Sequence, residues 1–197
     1  MKTFLLLFLT LTALNCYSQT TGNYKIEITA NASASNSEFK IHLLKDTDTA
    51  KVIYFKRKQE DSKPTKQDSL EIQELTETFL NDLEAQKRLT QLFEKYKSYD
   101  KDSLIISSNH PLLRISDSLS REKNLHVKKS DKSRIILDGT LLKIRVQHEN
   151  GPEYEFYALS PQKDSHPLVY QFINDALELY RGSVEDPILT KNHTNGY

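Results

Sequence analysis

The sequence predicts an α+β fold: two antiparallel three-stranded units, or one larger sheet, packed with two or three helices. Three observations predict it. Two regions, near Tyr24 and near Thr140, alternate apolar and polar residues with period 2 and are joined by short turns, as half-buried antiparallel strands are. Residues 68–96 and 165–181 carry apolar side chains at helical spacing instead. Roughly a quarter of the chain is Leu, Ile, Val or Phe, above the level at which chains stay disordered.

The chain opens on a different kind of segment. Lys2 is followed by an apolar run from Phe4 to Leu14, broken by Thr10 and Thr12. It is shorter than the roughly 20 residues that a membrane helix needs. Cys16-Tyr17-Ser18 places small residues at the −3 and −1 positions before Gln19. Residues 1–18 are therefore expected to be a secretory signal peptide, with export to the periplasm or beyond. The Ser-Gln junction resembles that of signal peptides in some Gram-negative bacteria. Lipid anchoring at Cys16 is disfavoured because Asn15 stands where a small residue normally precedes a lipidated Cys. Cleavage removes the only Cys, so the mature chain has no disulfide to rely on and no transmembrane segment is expected in it.

Residues 19–182 are read as one domain. Tyr24 to Ile28, Phe39 to Leu44 and Val52 to Phe55 are three strands, with polar turns at 31–37 and 45–49. Helical spacing begins at Asp68, where Glu71 three residues on suggests a capping box. Ile72, Leu75, Phe79, Leu83, Leu89, Leu92, Phe93 and Tyr96 form the apolar face. Its phase slips near 85–87, giving one kinked helix or two. Leu104 to Ile106 is a short strand, and 111–124 a helix opened by Ser108 or Asn109. Asp138-Gly139 between apolar runs at 134–137 and 140–147 is a two-residue hairpin signal. A strand at 154–159 follows. Ser165 is expected to cap a helix with Leu168, Val169, Phe172, Ile173, Ala176, Leu177 and Tyr180 on one face, and Gly182 to end it. Residues 183–197 lack periodicity and are expected to be a loose polar tail.

Asn109-His110-Pro111-Leu112-Leu113 echoes Ser165-His166-Pro167-Leu168-Val169. A duplication with paired sites would leave that trace. So would two helices each opened by polar-x-Pro, which is the simpler reading.

Charge and motifs exclude more than they identify. The 27 basic and 27 acidic side chains give no bulk field for nucleic acid, and no nucleic-acid partner is expected. Six His lack metal-ligand spacing, and no metal or cofactor is expected. There is no Gly-x-Ser-x-Gly elbow and no phosphate-binding Gly loop. Ser107, Ser108 and His110, with Asp100 and Asp102 upstream, hold the residue types of a triad; they are also ordinary residues for a helix start. The clearest charge cluster is Arg121, Lys123, Lys128, Lys129, Lys132 and Arg134, with His126 among them, which suits an anionic partner or a solvated connection. Asp-Ser/Thr-apolar triplets such as Asp102-Ser103-Leu104 resemble acceptors of bacterial O-glycosylation, and Asn31-Ala32-Ser33 and Asn192-His193-Thr194 match the Asn sequon. Asp-Ser also favours turns and helix starts.

The functional expectation is an exported, non-enzymatic binding protein whose partner is a protein or an anion, bound in the second case by Lys128, Lys129, Lys132 and Arg134. The alternative is a hydrolase with a site drawn from His110, His166, Ser108 and nearby carboxylates. A pocket joining two His to a carboxylate would favour the enzyme, and an exposed apolar face would favour the binding protein.

Overall fold

Six strands form one antiparallel sheet in the order β4-β3-β2-β1-β5-β6. The computed structural model describes residues 22–32, 37–122 and 139–197. The strands are β1 (Tyr24–Ala32), β2 (Ser37–Lys45), β3 (Thr49–Arg57), β4 (Tyr99–Ser107), β5 (Thr140–His148) and β6 (Glu153–Leu159). The helices are α1 (Lys66–Thr78) and α2 (Leu83–Tyr96) between β3 and β4, α3 (Pro111–Arg121) after β4, and α4 (Pro167–Ser183) after β6. The first three strands and the two C-terminal strands β5 and β6 thus belong to one sheet, completed by β4, and the described helices number four, because 68–96 divides into two.

Period-2 alternation decides which face is dry. On β1, Ile26 stands between Leu43 and Val146, and Ile28 between Ile41 and Ile144. All six are fully buried. Leu112, Leu113 and Leu119 of α3 and Val169, Phe172, Ile173, Ala176 and Leu177 of α4 complete that core. Each such leucine, isoleucine, valine or phenylalanine contributes about 1.5–3 kcal/mol relative to exposure. The tyrosine hydroxyls inside are paired. Tyr54 stacks on Tyr180 at 4.2 Å and donates its hydroxyl to the Ala176 carbonyl at 2.8 Å. Tyr180 donates to Asp102 at 2.8 Å and accepts from the Ile188 amide at 3.0 Å. Burial, then the neighbouring Asp102, pushes the Tyr180 phenol up to about 12.

Several expected boundaries shift, each for a local reason. β1 continues to Ala32 through the Asn/Ala-rich stretch read as a turn, since Thr29 to Ala32 pair with β2 on one side and β5 on the other. The break in 68–96 falls at 79–82 rather than 85–87. Asp82 starts α2 afresh, accepting from the amides of Glu84 and Ala85. Thr65, not Asp68, caps α1; its hydroxyl accepts from the Asp68 amide at 3.1 Å. α3 is capped by His110 and ends at Arg121. α4 starts after His166, not on a Ser165 cap, and runs through Gly182 to Ser183. The hairpin expected at Asp138-Gly139 falls on the segment just before β5. Residues 134–138 lie outside the described residues.

The largest correction concerns 183–197, which is docked rather than loose. Leu189 and Thr194 are fully buried. Arg181 donates to the carbonyls of Leu189 at 2.9 Å and Tyr197 at 2.8 Å, and to the Thr194 hydroxyl at 2.7 Å. Asn195 reaches the Thr140 hydroxyl at 3.1 Å, and Tyr197 the Pro161 carbonyl at 3.2 Å. One buried leucine and a guanidinium clamp do what a periodic apolar face does elsewhere.

Candidate functional site

The same alternation that fills one face of the sheet leaves the other open. Every residue facing outward from the six strands is at least partly exposed, except Glu38. Register puts Ser103, Ile53, His42, Glu27, Arg145 and Glu155 in one row across all six strands. The centre of the face is a ladder of charges. Lys25 meets Glu27 at 2.5 Å, Arg145 meets Glu27 at 3.8 Å and Glu155 at 3.2 Å, and Lys143 meets Glu155 at 3.0 Å. His42 lies 3.7 Å from Glu27 and tilts over Phe55 at 4.7 Å. Partial burial, with Lys25, Lys40 and Lys101 nearby, holds His42 below its usual range despite the opposing Glu27 charge, so the ring is neutral at pH 7.

Apolar groups flank that ladder. Ile105 on β4 is 75% exposed opposite Lys51, with Ile53 and then Phe55 further along the same face of β3. On the far side Leu141 and Leu159 face each other across β5 and β6, next to Tyr157. Lysines lie over the rings: Lys40 over Tyr99 at 4.1 Å, Lys101 over Phe55 at 5.7 Å and Lys143 over Tyr157 at 5.9 Å. Lys25, Lys40, Lys51, Arg57, Lys101, Lys143 and Arg145 outnumber Glu27, Glu38, Glu153 and Glu155 on this face. The face is therefore positive in a chain that is neutral as a whole.

Glu38 ties one corner of the face to the end of α2. Its carboxylate takes Lys97 at 2.6 Å and Lys40 at 3.2 Å and accepts the Tyr99 hydroxyl. Burial alone would raise this carboxyl, but the bonds from Lys97 and Tyr99 and the charges of Lys40 and Lys97 hold it below the usual range. A carboxyl depressed by folding stabilises the fold above its unfolded pKa, and that contribution is lost as pH falls through the folded value. Glu38→Gln should therefore destabilise the protein at pH 7. The gap to the parent should close as pH drops below about 4. Urea midpoints at both pH values check this, and a gap that persists in acid would contradict it.

The residues singled out in the sequence occupy separate places. His110 is committed to α3, its Nδ1 accepting from the Leu112 amide at 3.2 Å. His166 precedes α4, with Nδ1 3.0 Å from the Ser165 hydroxyl. Ser108 is exposed in the β4–α3 turn. Asp100 pairs with Lys58 at 3.2 Å, and Asp102 holds Tyr180. Asp100 and Ser107 lie near opposite ends of β4, about 23 Å apart at strand rise. No hydrogen bond among the described residues joins these groups into a triad. The matching His-Pro segments serve as the two helix starts on α3 and α4. Lys128, Lys129, Lys132 and Arg134 lie outside the described residues. No group of three metal-ligating side chains occurs among the described residues, and none of their helices is long and apolar enough to cross a membrane.

Two clefts lie at opposite ends of the sheet. The first, about 540 Å³, is lined by Asn23, Ser120, Arg121, His148, Glu149 and Tyr154 among others. Its polar groups engage one another. His148 lies 2.9 Å from the Ser120 carbonyl, which also accepts the Tyr154 hydroxyl, and Asn23 donates to Glu149 at 2.9 Å. The second, about 760 Å³, is lined by Ser37, Lys56, Arg57, Lys58, Gln59, Glu60, Asp100 and His193. Neither cleft contains His110 or His166, and each contains one His. Strand alternation turns His42 outward; His193 stands out in the sequence only as the middle of an Asn sequon, and it reaches its cleft only because the tail docks.

The chain is thus an α+β protein with one covered and one open sheet face. No known family model, curated protein or solved structure matches it.

Proposed function

We propose that the chain is an exported, non-enzymatic binding protein, and that the open sheet face docks a protein partner with an acidic and apolar surface. The observation that carries this reading is the open face itself: a positive charge ladder between two exposed apolar patches, on a sheet whose other face is closed by α3 and α4. Its size is appropriate. Six strands of up to nine residues span about 24 by 30 Å, close to the roughly 800 Å² that each partner contributes to a stable interface. Tyr157, Tyr99 and Arg145 on this face are of the residue types that carry interface energy. Seven cations on the face would steer an acidic partner and fix its orientation. The signal-like N-terminus supports an encounter outside the cytoplasm.

The test is site-directed photocrosslinking in cells that export the protein. A crosslinking residue at Tyr157 or Ile105 should capture one discrete species. The same group at Gln171, exposed on α4, should not. Reversing Lys101 and Lys143 to Glu should weaken the purified complex at least tenfold, since two charge reversals each cost on the order of 1 kcal/mol. Equal capture from Gln171, no capture from the face, or indifference to the charge reversal would each refute the reading.

A further inference from the structure

The second cleft supports an inference independent of the sheet face. It is formed where the docked tail crosses the end of the sheet bearing the start of β2, the end of β3 and the start of β4. Its cations differ in how they are engaged. Lys58 is paired with Asp100 at 3.2 Å. Arg57 is paired with Asp61 at 2.6 Å and faces Glu38 at 3.8 Å. Lys56 makes no ion pair with any described residue, although it is partly buried.

The tail adds a second donor beside it. The His193 amide donates to the Thr190 carbonyl at 3.1 Å, and the ring Nδ1 lies 2.8 Å from the Thr190 hydroxyl. In the tautomer in which Thr190 donates to Nδ1, Nε2 carries the proton of the neutral ring. Burial, and then the charge of Lys56, depress the His193 titration. Folding therefore brings a lysine and a titratable ring together with no carboxylate assigned to Lys56. Two carboxylates line the cleft: Asp100, paired with Lys58, and Glu60, which is exposed and makes no ion pair among the described residues. A lysine that disfavours protonation of the ring beside it is an electrostatic cost that a bound anion relieves. The Gln59 amide adds a neutral donor on the same wall.

We infer that this cleft is an oxyanion site, in which Lys56 and His193 hold the phosphate or sulfate group of a small molecule, with Gln59 as a further donor. At about 760 Å³ the cleft has room for a ligand larger than the oxyanion itself, such as a phosphorylated or sulfated sugar.

The test is a titration of the intact protein with inorganic phosphate and, separately, with sulfate, followed by the ring resonances of the six His, with chloride at matched ionic strength as the control. Either oxyanion should saturate the His193 signal, raise its titration midpoint, and leave His42 and His110 unmoved. Saturation by phosphate alone would assign a phosphate ester, and saturation by both would assign either ester. Lys56→Gln should weaken binding at least tenfold, Lys56→Arg should retain it, and Glu60→Gln should tighten it about two- to fivefold. A melting curve like the parent's shows that each variant is folded; should Lys56→Gln fail to fold, His193→Gln takes its place with the same expected loss. An unmoved His193 signal, a response matched by chloride, or undiminished binding by whichever of the two loss variants folds would overturn the inference.

Discussion

Deleting residues 184–197 will destabilise the domain by about 3–5 kcal/mol, as much as removing a large side chain from its centre. The tail looks dispensable by composition, with only isolated apolar residues among polar ones. One of those, Leu189, is fully buried and belongs to the main core. Emptying a buried leucine site costs about 2–5 kcal/mol. The deletion also removes the acceptor groups that three Arg181 donors reach, and it frees the Tyr180 hydroxyl of the Ile188 amide. Arg181 regains water in exchange, so those bonds add about 1 kcal/mol rather than their gross strength. Leu189→Ala alone should reproduce most of the effect. Urea denaturation decides it: a loss under about 0.5 kcal/mol for the deletion would mean that the tail merely rests on the domain. Because His193 belongs to the same tail, the deletion should also abolish the oxyanion response of the second cleft.

What the sequence disclosed follows the range of the forces involved. Strand alternation is local, so β1 and β2 were legible from their own residues. The three-strand grouping near the start was legible for the same reason. Strand order is not local. β1 sits at the centre because Ile26 and Ile28 pair with Leu43 and Ile41 on one side and with Val146 and Ile144, more than a hundred residues away, on the other. No pattern in either segment encodes that pairing, so the charge ladder from Glu27 through Arg145 to Glu155 was invisible. Local rules also misread residues whose composition and context disagree. Asn31 and Ala32 have turn-like composition, yet partners on both sides hold them in β1. Ser165 has the chemistry of a cap, but its hydroxyl accepts from the Gln162 amide at 3.0 Å instead. The tail lacked any periodic signal because a single leucine and a side-chain clamp anchor it. The second cleft was hidden for the same reason, since Lys56 and His193 meet only through that docking.

Phe172→Ala is the complementary loss at the centre of the fold, expected at about 3–5 kcal/mol. The ring is fully buried on the face of α4 that closes the sheet, in one cluster with Ile26, Ile28, Ile144 and the α3 leucines. Interiors are close-packed, so the cavity left by a phenyl ring cannot collapse without moving α4, and α4 is held in place by the Tyr54–Tyr180 stack and the Arg181 clamp. A cost near the upper end follows from that rigidity. Phe172→Leu keeps most of the volume and should cost under about 2 kcal/mol. The urea midpoint should fall for Phe172→Ala with the slope unchanged, as befits a stability change without a change in the area exposed on unfolding. With domain stabilities of about 5–15 kcal/mol, this single change removes a large share of the total. Equal midpoints for Phe172→Ala and Phe172→Leu would show that the cavity refills, and that α4 is held by its ends rather than by its buried face.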